Sequence, residues 1–398
     1  MILAKRISLI KDSPTFAVLA KANKMQKEGI DVIILAAGEP DFDTPKHIKD
    51  GAIKAIIDGK TKYTPVGGTL ELKQAVVNKF KNENNLDYTI NQVLVSNGGK
   101  HSIYNALQAI INEGDEVIIP APYWTSYPDM VLLAGGSPIF ISCSISEHYK
   151  LTAEKLRAAI TKKTKAIFLN SPSNPTGMVY SNDELLAIAK VLEDYPDIFI
   201  ISDDIYEHIL FSNDKFSNII NVAPNLQSRT IIINGVSKAY SMTGWRIGFA
   251  ACSNDAIIKS MEKIQSQSTS NPCSISQAAA LTALTGGLEC IKPMKEAFIN
   301  RHDYVVNRIN NIKGLKCLKS QGAFYAFFEC STAIERLYKA GKIKNNSDLE
   351  LSNYLLDNFK VAGIPGSAFG LDEHMRFSFA ANELELKRGL DRLENALI

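Results

Sequence analysis

Short runs of β-branched and other apolar residues recur through the middle of the chain, and segments with helical periodicity lie between some of them. The apolar runs lie at residues 92–96, 116–119, 165–169, 198–201 and 230–233. Amphipathic helical patterns cover, for example, residues 152–160 and 182–192. Strands that are apolar on both faces need helices on both sides, so this alternation predicts an α/β fold with a mostly parallel sheet.

The last third of the chain has a different pattern. A long helical stretch at residues 294–312 is followed by strand-like runs at 323–328 and 375–379, and by a terminal helix from Glu383. This mixture predicts a smaller α+β domain, and a chain of 398 residues is long for one core. We expect residues 1–45 to be part of the small domain, residues 46–290 to form a large ligand-binding domain, and residues 291–398 to form the small C-terminal domain.

Composition and charge exclude several classes of protein. A formal net charge of +2 gives no electrostatic reason to expect binding to nucleic acid or to a membrane surface. No apolar stretch approaches the roughly 20 residues of a membrane span, and the first residues are too mixed for a secretory signal. The six cysteines are scattered without metal-ligand spacing, which predicts reduced thiols and no metal site. We expect a cytoplasmic protein that acts on small molecules.

Chemically active residues come directly after the predicted strands. Residues 98–100 (Gly-Gly-Lys) follow one strand, residues 170–177 follow another, Asp203 and Tyr206 follow a third, and Lys238 follows a fourth. In sheets of this kind, ligands bind beyond the carboxyl ends of the strands. The sequence therefore predicts a ligand site at this edge of the sheet.

Lys238 is the most informative of these residues. A lysine amine holds an aldehyde cofactor as an imine, and a phosphorylated cofactor needs fixed positive charge at its other end, which Arg246 supplies a little further along the chain. Taken alone, Lys238 would be interpreted as a solvated surface lysine. The surrounding pattern favours the cofactor role.

Further residues each allow a chemical and a structural interpretation. A carboxylate at Asp203 would keep a pyridine nitrogen protonated, or it would lie in a helix-capping loop. Tyr206 would bond an oxygen on the same ring or fill the core. Asn174 lies in a turn with two prolines, which either places its side chain accurately or is an ordinary tight turn. Trp124 offers a flat surface on which an aromatic ring could stack.

Two candidate anion sites complete the set. Gly99 and Lys100 open a predicted helix through Ile111, and the backbone N–H groups at a helix start bind phosphate well. Arg376 is flanked by Met375 and Phe377, so it is either a bidentate clamp for a carboxylate or a member of a buried ion pair.

Together these residues resemble those of the class I, fold-type I pyridoxal-phosphate aminotransferases, and the chain is most similar to bacterial aspartate aminotransferases of the Ib subgroup. The resemblance runs along essentially the whole chain, and the matching segments include residues 36–45, 60–65, 171–177 and 238–248. The resemblance implies a large domain with a mostly parallel seven-stranded sheet that binds pyridoxal 5′-phosphate, and a smaller α+β domain.

The resemblance also implies roles for individual residues. Lys238 would be catalytic. The cofactor would be bound by Tyr63, Gly99, Lys100, Trp124, Asn174, Asp203, Tyr206, Ser237, Lys238 and Arg246. The substrate would be bound by Lys11, Gly38, Lys100, Trp124, Asn174 and Arg376. Because Tyr63 would reach the phosphate of a neighbouring subunit, the resemblance implies a homodimer with shared active sites.

The implied reaction moves an amino group between L-aspartate and 2-oxoglutarate. No arginine lies between Ile247 and Asn300, where animal-type relatives place one for the second carboxylate, so the resemblance assigns that task to Lys100. A lysine at the position of Lys11 is associated with prephenate as a further amino acceptor, with aspartate or glutamate as the donor; Lys11 as a solvated surface residue is the alternative.

Two positions depart from the wider pattern. Gly235 stands where many relatives have a phosphate-binding serine, and Tyr127 stands where animal enzymes have a histidine behind the ring aspartate. An aromatic or alanine aminotransferase and a carbon–sulfur lyase share this fold and remain alternatives. A regulator that kept the cofactor domain for sensing is the alternative from another functional class.

Overall fold

The computed structural model describes residues 4–10, 14–212 and 215–398. The strands are β1 (Ile33–Ile34), β2 (Val93–Ser96), β3 (Glu116–Ala121), β4 (Ser137–Ser142), β5 (Thr164–Asn170), β6 (Phe199–Asp203), β7 (Thr230–Gly235), β8 (Gly248–Ala251), β9 (Lys316–Cys317), β10 (Tyr325–Glu329), β11 (Val361–Ala362), β12 (Ile364–Pro365) and β13 (His374–Ser378). The helices are α1 (Pro14–Lys27), α2 (Lys46–Ile57), α3 (Leu70–Asn84), α4 (Gly99–Ile110), α5 (Tyr127–Leu133), α6 (Ala153–Ala159), α7 (Asn182–Glu193), α8 (Ile219–Val222), α9 (Asp255–Ser268), α10 (Ser274–Thr285), α11 (Lys292–Asn310), α12 (Ser331–Lys339), α13 (Asp348–Tyr354) and α14 (Glu383–Ala396).

The main sheet confirms the predicted α/β architecture. Within the described residues it has seven strands in the order β2-β8-β7-β6-β5-β3-β4. Neighbouring strands from β7 to β4 pair in parallel, and only β8 runs antiparallel to its neighbours β2 and β7. The sequence patterns identified β2, β3, β5, β6 and β7. They missed β8, in which three of the four residues are glycine or alanine, and β4, whose residues are partly exposed.

Both faces of this sheet are buried, as its continuous apolar runs predict. Ile231 and Ile233 of β7 point into one apolar cluster, which α4 and α9 also line, and Ile232 points into a second cluster on the other face. Successive residues of a strand face opposite sides, so each strand supplies both layers. The strand ends therefore lie in a rigid, covered scaffold.

The C-terminal part has its own sheet, in the order β12-β13-β10-β9, with every pairing antiparallel. β1, near the N-terminus, pairs in parallel with β11. This pairing supports the expectation that residues 1–45 join the small domain, although the domain boundaries stay a prediction. Among the helices of the described ranges, none is both long and apolar enough to cross a membrane.

Candidate active site

A cavity of about 220 Å³ opens where the parallel strands end. Asn170 and Asp203 are the last residues of β5 and β6, and Lys238 follows the end of β7. Predicted site residues that line the cavity are Gly38, Gly99, Lys100, Trp124, Asn174, Asp203, Tyr206, Ser237, Lys238, Arg246 and Arg376. The tertiary structure therefore brings together side chains that are far apart in the sequence, and the cavity is much larger than a single water molecule requires.

Lys238 is partly buried, and its Nζ donates a hydrogen bond to the carbonyl oxygen of Gly38 at 2.5 Å. Burial lowers the pKa of the Lys238 amine to about 8, with Glu39 acting in the opposite direction. A neutral amine is the form that attacks an aldehyde. The structure thus makes that form accessible much closer to neutral pH than it is for an ordinary lysine.

Asp203 is buried and receives two hydrogen bonds. The phenol of Tyr127 donates to its Oδ2 at 2.6 Å, and the backbone N–H of Ile205 donates to its Oδ1 at 3.4 Å. Burial raises the pKa of the Asp203 carboxyl to about 6, although both hydrogen bonds lower it. Tyr127 is itself held by stacking on Phe168, with ring centroids 4.2 Å apart. At the position where animal enzymes have a histidine, this chain therefore provides a fixed phenol donor.

Tyr206 and Tyr325 share a hydrogen bond between their hydroxyl groups, with an Oη–Oη distance of 2.7 Å. Tyr206 follows β6 and Tyr325 belongs to β10, so the contact joins the main sheet to the C-terminal sheet. Tyr325 is not among the site residues predicted from the sequence. Tyr325 lies two residues before Phe327 in a predicted strand, so the two side chains face the same side of the sheet. Phe327 is paired with Arg376 across the sheet, so Tyr325 lies on the face that carries Arg376.

Arg376 is only 3% exposed, and its guanidinium lies over the ring of Tyr325 at 4.4 Å. Its Nη1 donates to Oδ1 of Asn174 at 2.8 Å, and its Nη2 donates to the carbonyl oxygen of Ala36 at 3.0 Å. Within the described residues, these hydrogen-bond partners are neutral, and Nε has no hydrogen-bond partner. A guanidinium has five N–H donors, so Arg376 has donors left for a carboxylate. This arrangement favours the clamp over the structural ion pair.

The other end of the cavity is positively charged. The start of α4, at Gly99, lies there with Ser237 and Arg246. Gly98 has a φ of +85°, and a Cβ on it would lie 2.3 Å from Nη2 of Arg246. Only glycine therefore lets the guanidinium lie against the helix start. Helix N–H groups and a cation at one point make an anion site.

Gly235 is also explained by its surroundings. A Cβ at this position would lie 2.9 Å from Cα of Gly248 on the neighbouring strand. A serine would therefore require β7 and β8 to move apart. The departure from the serine of many relatives follows from the close pairing of these two strands.

Lys100 and Trp124 form one wall of the cavity. The Lys100 Nζ lies 5.0 Å from the centroid of the Trp124 ring, close enough for a cation–π interaction. Burial lowers the pKa of Lys100; Arg246 lowers it further, and Asp129 raises it. Trp124 meets the ring of Tyr127 edge-on at 5.4 Å, which fixes the plane of the indole.

Among the described residues, one predicted site residue does not line the cavity. This residue is Tyr63, which is 91% exposed, and its contact with the phosphate of a neighbouring subunit stays a prediction. Lys11 lies outside the described residues. Residues that line the cavity without having been predicted as ligands are Thr15, Ile103, Thr125, Ser126, Tyr127, Asn170, Ile205, Thr243 and Tyr325.

The residues present fit pyridoxal 5′-phosphate. The chain offers an amine with a lowered pKa for the aldehyde, at Lys238, and a buried carboxyl for the ring nitrogen, at Asp203. The start of α4 and the guanidinium of Arg246, which lies against Gly98, suit the phosphate. These are the three recognisable chemical groups of that cofactor.

Comparisons with known proteins agree with this geometry. The family described as aminotransferase class I and II matches residues 30–393. An aspartate/prephenate aminotransferase of Nitrosomonas europaea is 53% identical and covers 100% of both chains. The crystal structure of the Rhizobium meliloti aspartate aminotransferase has a TM-score of 0.94 at 46% identity, covering 100% of this chain and 99% of the other. The Thermus thermophilus aspartate aminotransferase with maleate has a TM-score of 0.92 at 39% identity, covering 100% of both. The chain belongs to the class I and II aminotransferases, which are pyridoxal-phosphate-dependent enzymes.

Proposed function

We propose that this enzyme transfers an amino group between L-aspartate and 2-oxoglutarate, giving oxaloacetate and L-glutamate. The observation that carries the proposal is that two cations, the buried Arg376 and the exposed Lys100, line the same cavity as Lys238. A substrate with two carboxylates would satisfy both cations. The names of the relatives support this choice, and so does maleate, a dicarboxylate, with the Thermus protein.

In the proposed reaction, bound pyridoxal 5′-phosphate supplies the electron sink for breaking a bond at the substrate Cα. Lys238 Nζ accepts the proton from that Cα and donates it again later in the cycle. Asp203 holds the proton on the ring nitrogen through its carboxylate. Arg376 orients the α-carboxylate, and Lys100 holds the second carboxylate. Trp124, which lines the cavity, would stack on the ring of the bound cofactor.

Asn174 has a defined orientation for its role. Its Oδ1 accepts from Arg376, so its Nδ2 is the group left to donate to the oxygen of the cofactor ring. Tyr206 would supply a second donor, its hydroxyl group, to the same oxygen. Both donors would favour the charged form of that oxygen when the cofactor is bound.

We include prephenate as a further amino acceptor, with aspartate or glutamate as the donor. The support is the relative from Nitrosomonas europaea, which is named for aspartate and prephenate. Lys11, the residue assigned to the extra carboxylate of prephenate, stays a prediction because it lies outside the described residues.

A homodimer with shared active sites is part of the proposal. The segment that carries the exposed Tyr63 also exposes large apolar side chains, namely Ile53, Ile56, Ile57 and Leu70. A second copy that covers this surface would remove them from water. The cytoplasm is the proposed location, which agrees with six cysteines that are scattered along the sequence.

Half-reactions test the substrates one at a time. L-glutamate would convert the bound cofactor to its amino form, and recovery of the original absorption band would then be followed with oxaloacetate or with prephenate. Fast recovery with both supports the full proposal. Recovery with oxaloacetate alone would remove prephenate, and recovery with neither, but with a neutral aromatic oxo acid, would favour an aromatic aminotransferase.

A further inference from the structure

Next to Tyr206 in the chain is a buried carboxylate, Glu207, that accepts three hydrogen bonds. Its Oε1 is paired with the ammonium of Lys79 and accepts from Nδ2 of Asn234 at 2.8 Å. Its Oε2 accepts from Nδ2 of Asn84 at 2.6 Å. All four residues are buried. A carboxylate removed from water this completely needs such a set of donors.

The cation in this cluster is an ammonium group. Glu83, Glu207 and His208 bring potential metal-binding atoms within 4.8 Å of one another. However, Lys79 Nζ is bonded to Glu207, lies 3.7 Å from Glu83, and also donates to Oδ1 of Asn84 at 2.6 Å. The position that a metal ion would take beside these carboxylates is therefore filled by Lys79.

Glu207 connects the two loops that carry the proposed catalytic groups. It follows Tyr206, which lines the cavity after β6. Its partner Asn234 is in β7, and the Oδ1 of Asn234 accepts from the N–H of Gly235 at 2.7 Å. Lys238 comes shortly after Gly235 in the chain and lines the cavity. One carboxylate thus fixes the end of β7 relative to the loop after β6.

Stability alone does not explain this cluster, because a buried ion pair is often no more stabilising than apolar side chains of similar volume. Hydrogen bonds that hold two loops at a fixed separation, in contrast, preserve the geometry of a site. We infer that Glu207 is a positioning residue, which holds Tyr206 and Lys238 in register through its bond to Asn234, and that Lys79 is the counter-charge that keeps Glu207 ionised in the interior. This inference rests on the proposed roles of Lys238 and Tyr206.

Two double variants separate positioning from stability. Lys79→Met with Glu207→Leu removes both charges and the acceptor for Asn234. Lys79→Met with Glu207→Gln also removes both charges but keeps a carbonyl oxygen for Asn234, so it is the matched control. Both pairs leave no unpaired buried charge, and we expect both proteins to fold.

The readouts are the pKa of the visible band of the bound cofactor and the kinetics with aspartate. For the double variant with Glu207→Leu (the Leu pair) we expect this pKa to move by about 0.5 to 1, the effect of weakening one hydrogen bond. We also expect kcat to fall about tenfold with KM changed less than about twofold. The double variant with Glu207→Gln (the Gln pair) should keep the band pKa and the kcat of the unaltered enzyme.

A third variant, Asn234→Ala, breaks the connection and keeps the ion pair, and it should reproduce the Leu pair even if the Leu pair fails to fold. If Asn234→Ala leaves both the band and kcat unchanged, the positioning role is wrong. Equal losses in the Leu and Gln pairs would also overturn it, since charge would then be the cause. If the unaltered enzyme itself shows no visible band of the bound cofactor, the proposed function is wrong instead.

Discussion

The guanidinium of Arg376 donates to the side-chain oxygen of Asn174 at 2.8 Å, and this bond joins the proposed substrate clamp to the proposed cofactor ligand. Arg376 belongs to β13 of the C-terminal sheet, and Asn174 lies in the loop after β5 of the main sheet. A substrate carboxylate that binds the remaining donors of Arg376 would lie beside the contact that orients Asn174. In the proposed function, this one hydrogen bond would couple substrate binding to the cofactor ring.

Replacing Asn174 by aspartate tests this coupling. Asn174→Asp places a carboxylate beside the guanidinium, where it competes with the substrate for Arg376. We expect KM for aspartate to rise at least about tenfold. Asn174→Ala is the control, because it removes the side chain without adding charge. If Asn174→Asp leaves the KM for the substrate unchanged, Arg376 does not bind the substrate carboxylate.

Lys100 determines the preference for dicarboxylic substrates in the proposed function. For Lys100→Ala we expect kcat/KM for aspartate to fall about 10- to 100-fold, while that for a neutral amino acid such as alanine changes less than about threefold. Cofactor affinity should be measured in parallel, since Lys100 also lies near the proposed phosphate site. Equal losses for both substrates would remove Lys100 from the specificity role.

The lowered pKa of Lys238 predicts a pH dependence for cofactor loading. Only the neutral amine attacks the aldehyde, so the protonated fraction is unreactive. Because burial lowers the pKa to about 8, the rate of pyridoxal 5′-phosphate binding to cofactor-free protein should rise with pH and level off above about 8. Stopped-flow absorbance would measure this rate. A midpoint near 10.5, the ordinary value, would contradict the buried environment.

The hydrogen bond from Tyr127 lowers the pKa of the Asp203 carboxyl. Burial raises this pKa to about 6 even with that bond, so Tyr127→Phe should raise the pKa further. More of Asp203 would then be protonated at neutral pH and unable to pair with a protonated ring. We expect cofactor affinity at pH 7 to fall about three- to tenfold and to recover at higher pH. Tyr180→Phe, which removes a buried phenol outside this cavity, should leave the affinity unchanged.

Gly98 has a matched control elsewhere in the chain. Gly98→Ala introduces a Cβ 2.3 Å from Nη2 of Arg246, whereas Gly29 has a similar positive φ and nothing within 4 Å of an added Cβ. Both substitutions strain the backbone by about 1 kcal/mol. Only Gly98→Ala should weaken binding of inorganic phosphate to cofactor-free protein, by about tenfold, in a calorimetric titration. Equal effects would show that Arg246 is not displaced.

Local patterns were sufficient to predict most of the main sheet. β2, β3, β5, β6 and β7 are continuous apolar runs, and such runs are recognisable because both faces of a parallel strand are buried. β8 has no such signal. Three of its four residues are glycine or alanine, and its direction is set by pairing with β2 and β7 rather than by its own side chains.

The sequence by itself determined the chemistry of this protein, and the tertiary structure decided its geometry. Lys238, Asp203, Asn174 and the Gly98–Lys100 segment are recognisable because they follow strands whose carboxyl ends must meet at one edge. Tyr325, the Arg376–Asn174 bond and the Glu207 cluster join segments more than a hundred residues apart. No local pattern encodes which distant side chains will meet. The lowered pKa of Lys238 and the raised pKa of Asp203 likewise depend on burial, which exists only once the sheets and helices have packed.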